Sequence, residues 1–492
     1  MHCSCPRSSA AASGGGGTLL PPGPPGDHAA MTRHPLLVLD VVGLTRDLLR
    51  HAPRLSALAA QGFVAPMDGV LPAVTCTAQA TLLTGALPRT HGIVGNGWYF
   101  RDLAEVWLWR QSNHLVQGQP LLRELAELEP APTTANLFWW FNFQSGATFA
   151  VTPRPHYPAD GRKLPDCQSD PPELRDELTE RFGTFPLFQF WGPTAALAST
   201  RWIADAALHV LRTRDPDLAL VYLPHLDYDL QRFGPRDPRI PAQVAAVDAE
   251  AAKLVDHALA TGREVVVVSE YGIDATVGAV AINRVLREAG YLAVRDGPCG
   301  ELLDPGGSRA FAVADHQIAH VYVRRAGDLA AVRARLERTD GVERVLDADG
   351  KRAAGLDHPR AGELVALSAR DRYFAYHYWL DDARAPDFAR TVDIHRKPGY
   401  DPCELLLAPD DRWVKLRLAA GLLRKKLGFR YLMRAISLDP GLARGSHGLL
   451  PAGPESAPLF LSSSRGDAAD SVTMTSVKSR LLARLRGAVQ TA

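Results

Sequence analysis

The sequence has few cysteines, almost no excess of either charge and no long uninterrupted apolar stretch. Its 492 residues include six cysteines, and Cys76, Cys167, Cys299 and Cys403 are scattered without a CxxC pair. This disfavours a disulfide framework or a cysteine zinc site, and predicts a reducing, cytoplasmic location. The net charge of +1 gives no electrostatic reason to bind nucleic acid or an anionic membrane. Because no run of eighteen apolar residues occurs, we expect no membrane span.

Composition and length predict one large domain between two tails. Hydrophobic residues make up 46% of the chain and charged residues 22%, which is enough apolar material for a sizeable core. Residues 1–30 are rich in Gly, Pro and Ala and lack the apolar core of an export signal, so they are predicted to be a disordered, low-complexity tail. Residues 31–462 are predicted to form the main domain. Residues 463–492 are predicted to be a flexible tail with a short basic amphipathic helix, a surface helix for which contact with a membrane surface is the alternative.

Three apolar runs in the main domain are typical of buried parallel strands. They are HPLLVLDVVGL (34–44), LALVYLPHLDYD (218–229) and REVVVVSEYG (263–272). Helical patterns over 46–62 and 241–262 lie between them. Strand–helix alternation predicts the α/β class, with a central, mostly parallel sheet flanked by helices.

Each of these strands ends next to a carboxylate. Asp40 closes the first, Asp227 and Asp229 follow the second, and Glu270 follows the third. A single acidic residue after a strand is usually a cap or turn residue. Because ligands of α/β sheets bind beyond the carboxyl ends of the strands, three such strands together predict a site at that edge.

Two segments are predicted to be insertions into this domain, at about 100–195 and 275–395. The first is rich in aromatic residues and contains NLFWWFNFQS. Trp140 could stack on a substrate there and Lys163 could bind an anionic oxygen, although such aromatic clusters are more often core. The second segment reads as a further α/β unit, with AHVYVRR as a strand and DLAAVRARLERTDGV as a helix.

The run TCTAQATLLTGALPRTHGIVGN (75–96) places a hydroxyl at the start of a predicted helix. Unpaired N–H groups and the positive end of the helix dipole favour a phosphate and an alkoxide there. The run resembles the nucleophile segment of the alkaline phosphatase superfamily, in the type I phosphodiesterase/nucleotide pyrophosphatase branch, to which phosphonoacetate hydrolase is related. The resemblance covers roughly residues 34–450 and is strongest in a few short, separated motifs. Cys76 lacks the following Pro and Arg of a sulfatase motif, which disfavours that activity.

The resemblance implies a fold and a reaction. The fold would be alkaline phosphatase-like, with smaller cap-like subdomains inserted. Thr75 would be the nucleophile of a double displacement through a covalent phospho-enzyme, and Asn96 would donate to a phosphoryl oxygen. His91 is expected to order the turn before Asn96. The substrate would be a small phosphate mono- or diester, or a phosphonate.

The same resemblance implies two zinc ions, but this sequence departs from the ligand pattern. Asp40 and Asp227 match two family aspartates, and Thr75 would complete the first site. The family's DxxxH segment has Gln231 in place of its histidine, and Glu270 and Tyr271 stand where the family has SDHG. Two histidine ligands are therefore replaced.

A late histidine ligand has two candidates. His447 in RGSHGLLP is favoured, and His395 in VDIHRKPGYDP is the second. A further cluster, Asp315, His316 and His320, is expected to have a structural role, because AHVYV is predicted to be a strand.

The altered ligand set is rich in oxygen, and such sites suit Mg²⁺, Mn²⁺ or Ca²⁺ better than Zn²⁺. We therefore expect weaker zinc retention than in the family, with one well-held ion. The favoured function is a metal-dependent phosphohydrolase. The alternative is a catalytically silent relative that binds a phosphorylated metabolite or a partner protein.

Overall fold

The three apolar runs form neighbouring parallel strands at the centre of a large sheet. The computed structural model describes residues 34–159, 162–409, 411–429 and 432–487. The predicted tail at 1–30 lies outside the described residues. The strands in chain order are β1 Leu36–Val41, β2 Phe63–Pro66, β3 Gly97–Phe100, β4 Glu105–Leu108, β5 Thr134–Leu137, β6 Phe149–Pro153, β7 Cys167–Asp170, β8 Leu218–Leu223, β9 Glu264–Val268, β10 Asp274–Ala275, β11 Gly278–Val280, β12 Val294–Gly297, β13 Gly300–Leu303, β14 Ala310–Asp315, β15 Ile318–Val323, β16 Val342–Leu346, β17 Leu364–Ser368, β18 Arg372–Phe374, β19 Gly445–Ser446 and β20 Leu459–Ser462.

The main sheet has eight strands within the described part of the chain, in the order β2-β20-β9-β1-β8-β5-β6-β7. The five strands from β9 to β6 run parallel, and antiparallel strands close both edges. Leu36 of β1 pairs with Leu218 on one side and with Glu264 on the other. The predicted α/β class and the parallel centre are confirmed, and the carboxyl ends of β1, β8 and β9 lie side by side.

Helices flank this sheet, as the strand–helix alternation predicts. They are α1 Arg46–Leu49, α2 Pro53–Gln61, α3 Thr75–Thr84, α4 Pro88–His91, α5 Leu121–Ala126, α6 Glu173–Phe182, α7 Leu187–Phe190, α8 Leu197–Arg214, α9 His225–Phe233, α10 Ile240–Ala260, α11 Ile282–Glu288, α12 Leu329–Glu337, α13 Ala348–Ala353, α14 Val414–Lys426 and α15 Val477–Leu485. Among the described helices, none combines the length and apolar character needed to cross a bilayer.

A second, smaller sheet lies within the predicted insertion at 275–395. It is antiparallel in the order β14-β15-β17-β16 and has its own hydrophobic core. The predicted strand and helix of this segment are present as β15 and α12. The end of β14 reaches the carboxyl edge of the main sheet through Asp315.

The segment at 100–195 differs from its interpretation as an insertion. Its strands β5, β6 and β7 belong to the main sheet, with β5 paired to β8. The short strand sequences TANL and FAVTP carry little alternation. Their place is decided by pairing with a strand about eighty residues later, which no local pattern reveals.

The C-terminal helix also differs from the predicted flexible tail. Leu481 and Leu485 on α15 are buried in the main core. Arg484 is buried beside them and forms ion pairs with Asp467 and Glu264. A basic amphipathic pattern indicates only that one face is apolar, and here that face packs against the chain's own sheet.

Candidate active site

Thr75 is the first residue of α3 and lies at the carboxyl edge of the main sheet. Its side chain is buried, and its Oγ1 is 3.0 Å from the hydroxyl of Tyr271. The Thr75 hydroxyl also favours the charged form of the neighbouring Glu270 carboxyl, which lowers the pKa of that group against the larger effect of burial. The hydroxyl therefore faces a polar cluster at the positive end of a helix, where negative charge is stabilised.

Two carboxylates from neighbouring strands meet beside Thr75. Asp40 lies near the end of β1, and Glu270 follows β9 by two residues. Gln79 donates from its amide nitrogen to both, to Asp40 Oδ2 at 3.1 Å and to Glu270 Oε1 at 2.7 Å. The other oxygen of each carboxylate, Oδ1 of Asp40 and Oε2 of Glu270, is buried without a hydrogen-bond partner among the described residues.

Burial makes this pair hard to ionise. It raises the pKa of Asp40 well above its usual value, and the charge of Glu270 adds to the effect. Burial also raises the pKa of Glu270. Two buried carboxylates in contact are stable together only with a shared proton or a cation between them.

Asp227, on α9, is held by neutral donors. Its Oδ1 accepts a hydrogen bond from the hydroxyl of Tyr271 at 3.2 Å, and its Oδ2 accepts one from the amide nitrogen of Gln231 at 2.8 Å. The carbonyl oxygen of Gln231 accepts in turn from the hydroxyl of Tyr400. Burial raises the pKa of Tyr271 well above its usual value, so the phenol stays protonated at neutral pH.

Four stacked rings form the wall behind Asp227. Tyr271 stacks on His447 with centroids 3.6 Å apart, His447 lies 3.8 Å from His316, and His316 lies 3.5 Å from Tyr400. Nδ1 of His447 is 2.7 Å from the carbonyl oxygen of Ala73 and must donate to it, which leaves Nε2 with a free lone pair. Burial lowers the pKa of both histidines well below the usual value, so both rings are neutral.

Asn96 is fixed from two sides. Its side-chain oxygen accepts from the backbone N–H of Cys76 at 3.0 Å, and its amide nitrogen donates to Asp315 at 3.1 Å. Asp315 also accepts from the Asn96 backbone N–H at 2.7 Å. The small sheet thereby sets the orientation of Asn96 at the start of α3, with one amide hydrogen left for a ligand.

The two candidate late histidines lie in different places. Nε2 of His447 is 3.8 Å from Oδ1 of Asp227. His395 instead lines a cavity together with Trp140 and Lys163. The structure thus brings His447, and not His395, to the carboxylates.

The other two histidines considered in the sequence are held within the protein. Both ring nitrogens of His320 bond backbone groups, those of Val94 and Gly362. His91 bonds Thr81 and the N–H of Ile93, which places it in the turn before Asn96.

Three residues that hydrogen-bond the side chains of the site are not among the site residues predicted from the sequence. Gln79 lies one helical turn after Thr75, and this i,i+4 spacing was a usable signal. Tyr400 lies within the HRKPGYDP run, in which His395 is the residue that resembles a metal ligand. The sequence predicts a structural role for Asp315, and only the three-dimensional pairing with Asn96 shows that it orients a site residue.

The raised pKa of Asp227 predicts an unusual pH dependence of stability. Burial, followed by the charge of Glu270, raises it to about 7, against about 3.9 in an unfolded chain. Between these values the folded protein holds a proton that the unfolded chain has released, so the free energy of unfolding falls as pH rises through the window, by up to about 4 kcal/mol. Urea denaturation of chelator-treated protein at about pH 5 and about pH 8 measures this change. The free energy of unfolding should fall less between these two pH values in Asp227→Asn than in the wild-type protein.

The matched control for this experiment is Asp102→Asn, at an exposed aspartate, which should behave like the wild-type protein. An Asp227→Asn variant with an unchanged pH dependence would contradict the raised pKa.

Comparisons with known proteins place this geometry in a family. A model of the type I phosphodiesterase / nucleotide pyrophosphatase family matches residues 36–401. A comparison with curated proteins finds no match.

Solved structures share the fold at low sequence identity. Phosphonoacetate hydrolase from Sinorhizobium meliloti, in complex with phosphonoformate, has a TM-score of 0.58 and 14% identity, covering 92% of this chain and 96% of that one. Murine ectonucleotide pyrophosphatase/phosphodiesterase 5 has a TM-score of 0.55 and 14% identity, with coverages of 93% and 96%. Because the family match spans most of the sequence, the chain belongs to the type I phosphodiesterase/nucleotide pyrophosphatase family of phosphoester hydrolases.

Proposed function

We propose that this chain hydrolyses a small phosphate ester or phosphonate through a covalent intermediate on Thr75. The observation that carries the proposal is the position of the Thr75 hydroxyl, at the first residue of α3, hydrogen-bonded to Tyr271 and close enough to Glu270 to influence its pKa. A related structure supports it, that of an inactive threonine-to-alanine variant of the murine protein in complex with AMP. Phosphonoacetate hydrolase supplies a second type of ligand, since it binds phosphonoacetate.

The chain's own residues support the two displacements. The Thr75 hydroxyl gives its proton to the Glu270 carboxylate as its oxygen bonds to phosphorus and the ester bond to the leaving group breaks. The free amide hydrogen of Asn96 and the positive end of α3 stabilise the charge on the non-bridging oxygens. The proton on Glu270 passes to the departing group. Water then attacks the phosphothreonine and supplies a proton to the Thr75 oxygen as its bond to phosphorus breaks, which releases the phosphate and restores Thr75.

The residues present fit one oxygen-preferring cation rather than two zinc ions. The buried Asp40 Oδ1 and Glu270 Oε2 lack partners, and two carboxylates are enough for Mg²⁺ or Mn²⁺, which retain water ligands. The described residues contain no group of three or more His, Cys, Asp or Glu placed to hold a metal ion. A cation at Asp40 and Glu270 would lower the pKa of the Thr75 hydroxyl and offset phosphate charge.

Metal retention should distinguish the two aspartates. We expect Asp40→Asn to weaken Mn²⁺ binding at least about 10-fold, because it removes one of two charged ligands. Asp227→Asn should change it much less, since both oxygens of Asp227 accept hydrogen bonds from Tyr271 and Gln231. Titration calorimetry with Mn²⁺ and metal analysis after dialysis measure this. Equal loss in both variants, or no loss in either, would reject the assignment.

A chromogenic phosphodiester assayed with Mg²⁺, Mn²⁺ and Zn²⁺ in turn tests the function itself. Turnover that is greater with Mg²⁺ or Mn²⁺ than with Zn²⁺ is expected from the oxygen-rich ligands. The alternative of a silent relative is favoured by the neutral donors Gln79, Gln231 and Tyr271, which occupy carboxylate oxygens. No turnover with any metal, together with measurable AMP binding, would support that alternative.

A further inference from the structure

A large aromatic cavity lies at the same edge of the sheet as Thr75. It has a volume of about 790 Å³ and is lined by segments that follow β5 and β6 and by residues near 392–395. Eight of its lining side chains are aromatic. The volume lies within the range of small-molecule binding sites, and the lining favours flat rings.

Three tryptophans of this cavity are tied to residues of the candidate active site. The backbone N–H of Trp109 donates to the backbone carbonyl oxygen of Asn96 at 2.8 Å. The backbone N–H of Trp140 donates to the side-chain oxygen of Gln79 at 2.7 Å. The ring of Trp191 lies 6.0 Å from that of Tyr400. A group in the cavity would therefore lie beside the Thr75 cluster.

The cavity lining is positively charged. It includes Arg110, Arg154 and Lys163, and no Asp or Glu among the described residues. Lys163 is half-buried, and its ammonium group makes no hydrogen bond or ion pair within the described part of the chain. Its charge is attracted by the carboxylates of Glu404 and Asp393, but each of these is already ion-paired, Glu404 with Lys397 at 2.7 Å and Asp393 with Arg396 at 3.2 Å.

Two further features of the lining favour a ligand site. The indole N–H of Trp140 is buried without an acceptor among the described residues. Trp109 and Phe138, both in the lining, adopt the left-handed backbone region with φ of +61° and +72°. This conformation is costly for bulky side chains and concentrates at functional sites.

We propose that this cavity holds the non-reacting group of the substrate and that this group is an aromatic ring bearing its own negative charge, bound by Lys163. The proposal rests on the proposed function for the position of the phosphate. An uncharged ring would stack on the tryptophans but leave Lys163 without a partner. An uncharged aliphatic group would neither stack on the tryptophans nor pair with Lys163.

Binding to the full-length Thr75→Ala variant tests this without turnover. Titration calorimetry would compare 4-carboxyphenyl phosphate, phenyl phosphate and butyl phosphate. We expect the carboxylate to tighten binding at least about 10-fold over phenyl phosphate, the value of one charge-assisted hydrogen bond. Phenyl phosphate should bind more tightly than butyl phosphate.

A Lys163→Met change should abolish the preference for the carboxylate and leave phenyl phosphate affinity nearly unchanged. Lys415→Met, at an exposed lysine on α14, is the matched control and should keep the preference. Equal affinity for the charged and uncharged rings, or a preference that survives Lys163→Met, would overturn the proposal.

The failure of this inference is distinguishable from failure of the proposed function. Equal hydrolysis of all three probes by the wild-type enzyme would overturn the charged-ring pocket and leave the hydrolase assignment in place. Selective binding of 4-carboxyphenyl phosphate without hydrolysis by the wild-type protein would support the pocket and reject the reaction.

Discussion

Replacing Thr75 with alanine is expected to lower phosphodiester turnover by on the order of 10⁴- to 10⁶-fold, because it removes the proposed nucleophile, on which both displacements would depend. The fold should survive. The hydroxyl contributes one hydrogen bond, worth about 1 kcal/mol, and Tyr271 keeps its bond to Asp227. Initial rates at saturating substrate, with circular dichroism on the same samples, measure both effects.

The controls separate nucleophile loss from damage to the helix. Thr84→Ala removes a hydroxyl from the last turn of α3, where it bonds only the chain's own backbone, and should retain activity. Thr75→Ser should retain part of it. Substrate labelled with ³²P at the reacting phosphorus should leave acid-stable label on the wild-type protein and none on Thr75→Ala. Turnover by Thr75→Ala at the wild-type rate would remove Thr75 from the mechanism.

The sequence was sufficient to predict the centre of the fold. The apolar runs that became β1, β8 and β9 are buried on both faces, so their composition alone identifies parallel strands. Once these strands are adjacent, Asp40 and Glu270 must lie together, because residues at the same end of parallel neighbours share one edge. The register Asp40↔Val268 places Glu270 just beyond its neighbour.

Contacts made by uncharged side chains were harder to predict. The bridge from Gln79 to Asp40 and Glu270 joins three segments. The i,i+4 spacing from Thr75 places Gln79 on the same face of α3, but it does not identify the two carboxylates that its amide nitrogen contacts. The stack of Tyr271, His447, His316 and Tyr400 draws on four separate segments. Ring stacking depends on packing between distant elements, so spacing along the chain carries no information about it.

The neutral donors around Asp227 are the reason for proposing that this chain holds one cation and not two zinc ions. Gln231 presents its amide nitrogen to Asp227 because its carbonyl oxygen accepts from Tyr400. The phenol of Tyr271 lies between Thr75 and Asp227. Each hydrogen-bond donor thus occupies a carboxylate oxygen that would otherwise face a cation. The free lone pair of His447 Nε2 is the remaining ligand-like feature on this side.

Restoring the family ligands should restore a second metal site. In the triple variant Gln231→His, Glu270→Asp and Tyr271→His, the imidazole introduced at position 231 would join Asp227 and His447, and the imidazole introduced at position 271 would join Asp40 and Thr75. Imidazole favours Zn²⁺. We expect bound zinc to rise from at most about one ion per chain to about two, with at least about 100-fold tighter retention, since each ligand histidine strongly raises affinity. Plasma mass spectrometry after dialysis against a weak chelator measures the stoichiometry.

Partial variants show whether the histidines themselves cause the gain. Glu270→Asp alone shortens a carboxylate without adding an imidazole, so it should bind no more zinc than the wild-type protein. Adding His447→Ala to the triple variant should remove the second ion, because His447 is the histidine beside Asp227. If the folded triple variant bound no more zinc than the wild-type protein, the absence of the two histidines would not be the reason that this chain lacks a second zinc ion. The hydrogen bonds of Gln79 and Tyr400 would then be what prevents zinc from binding.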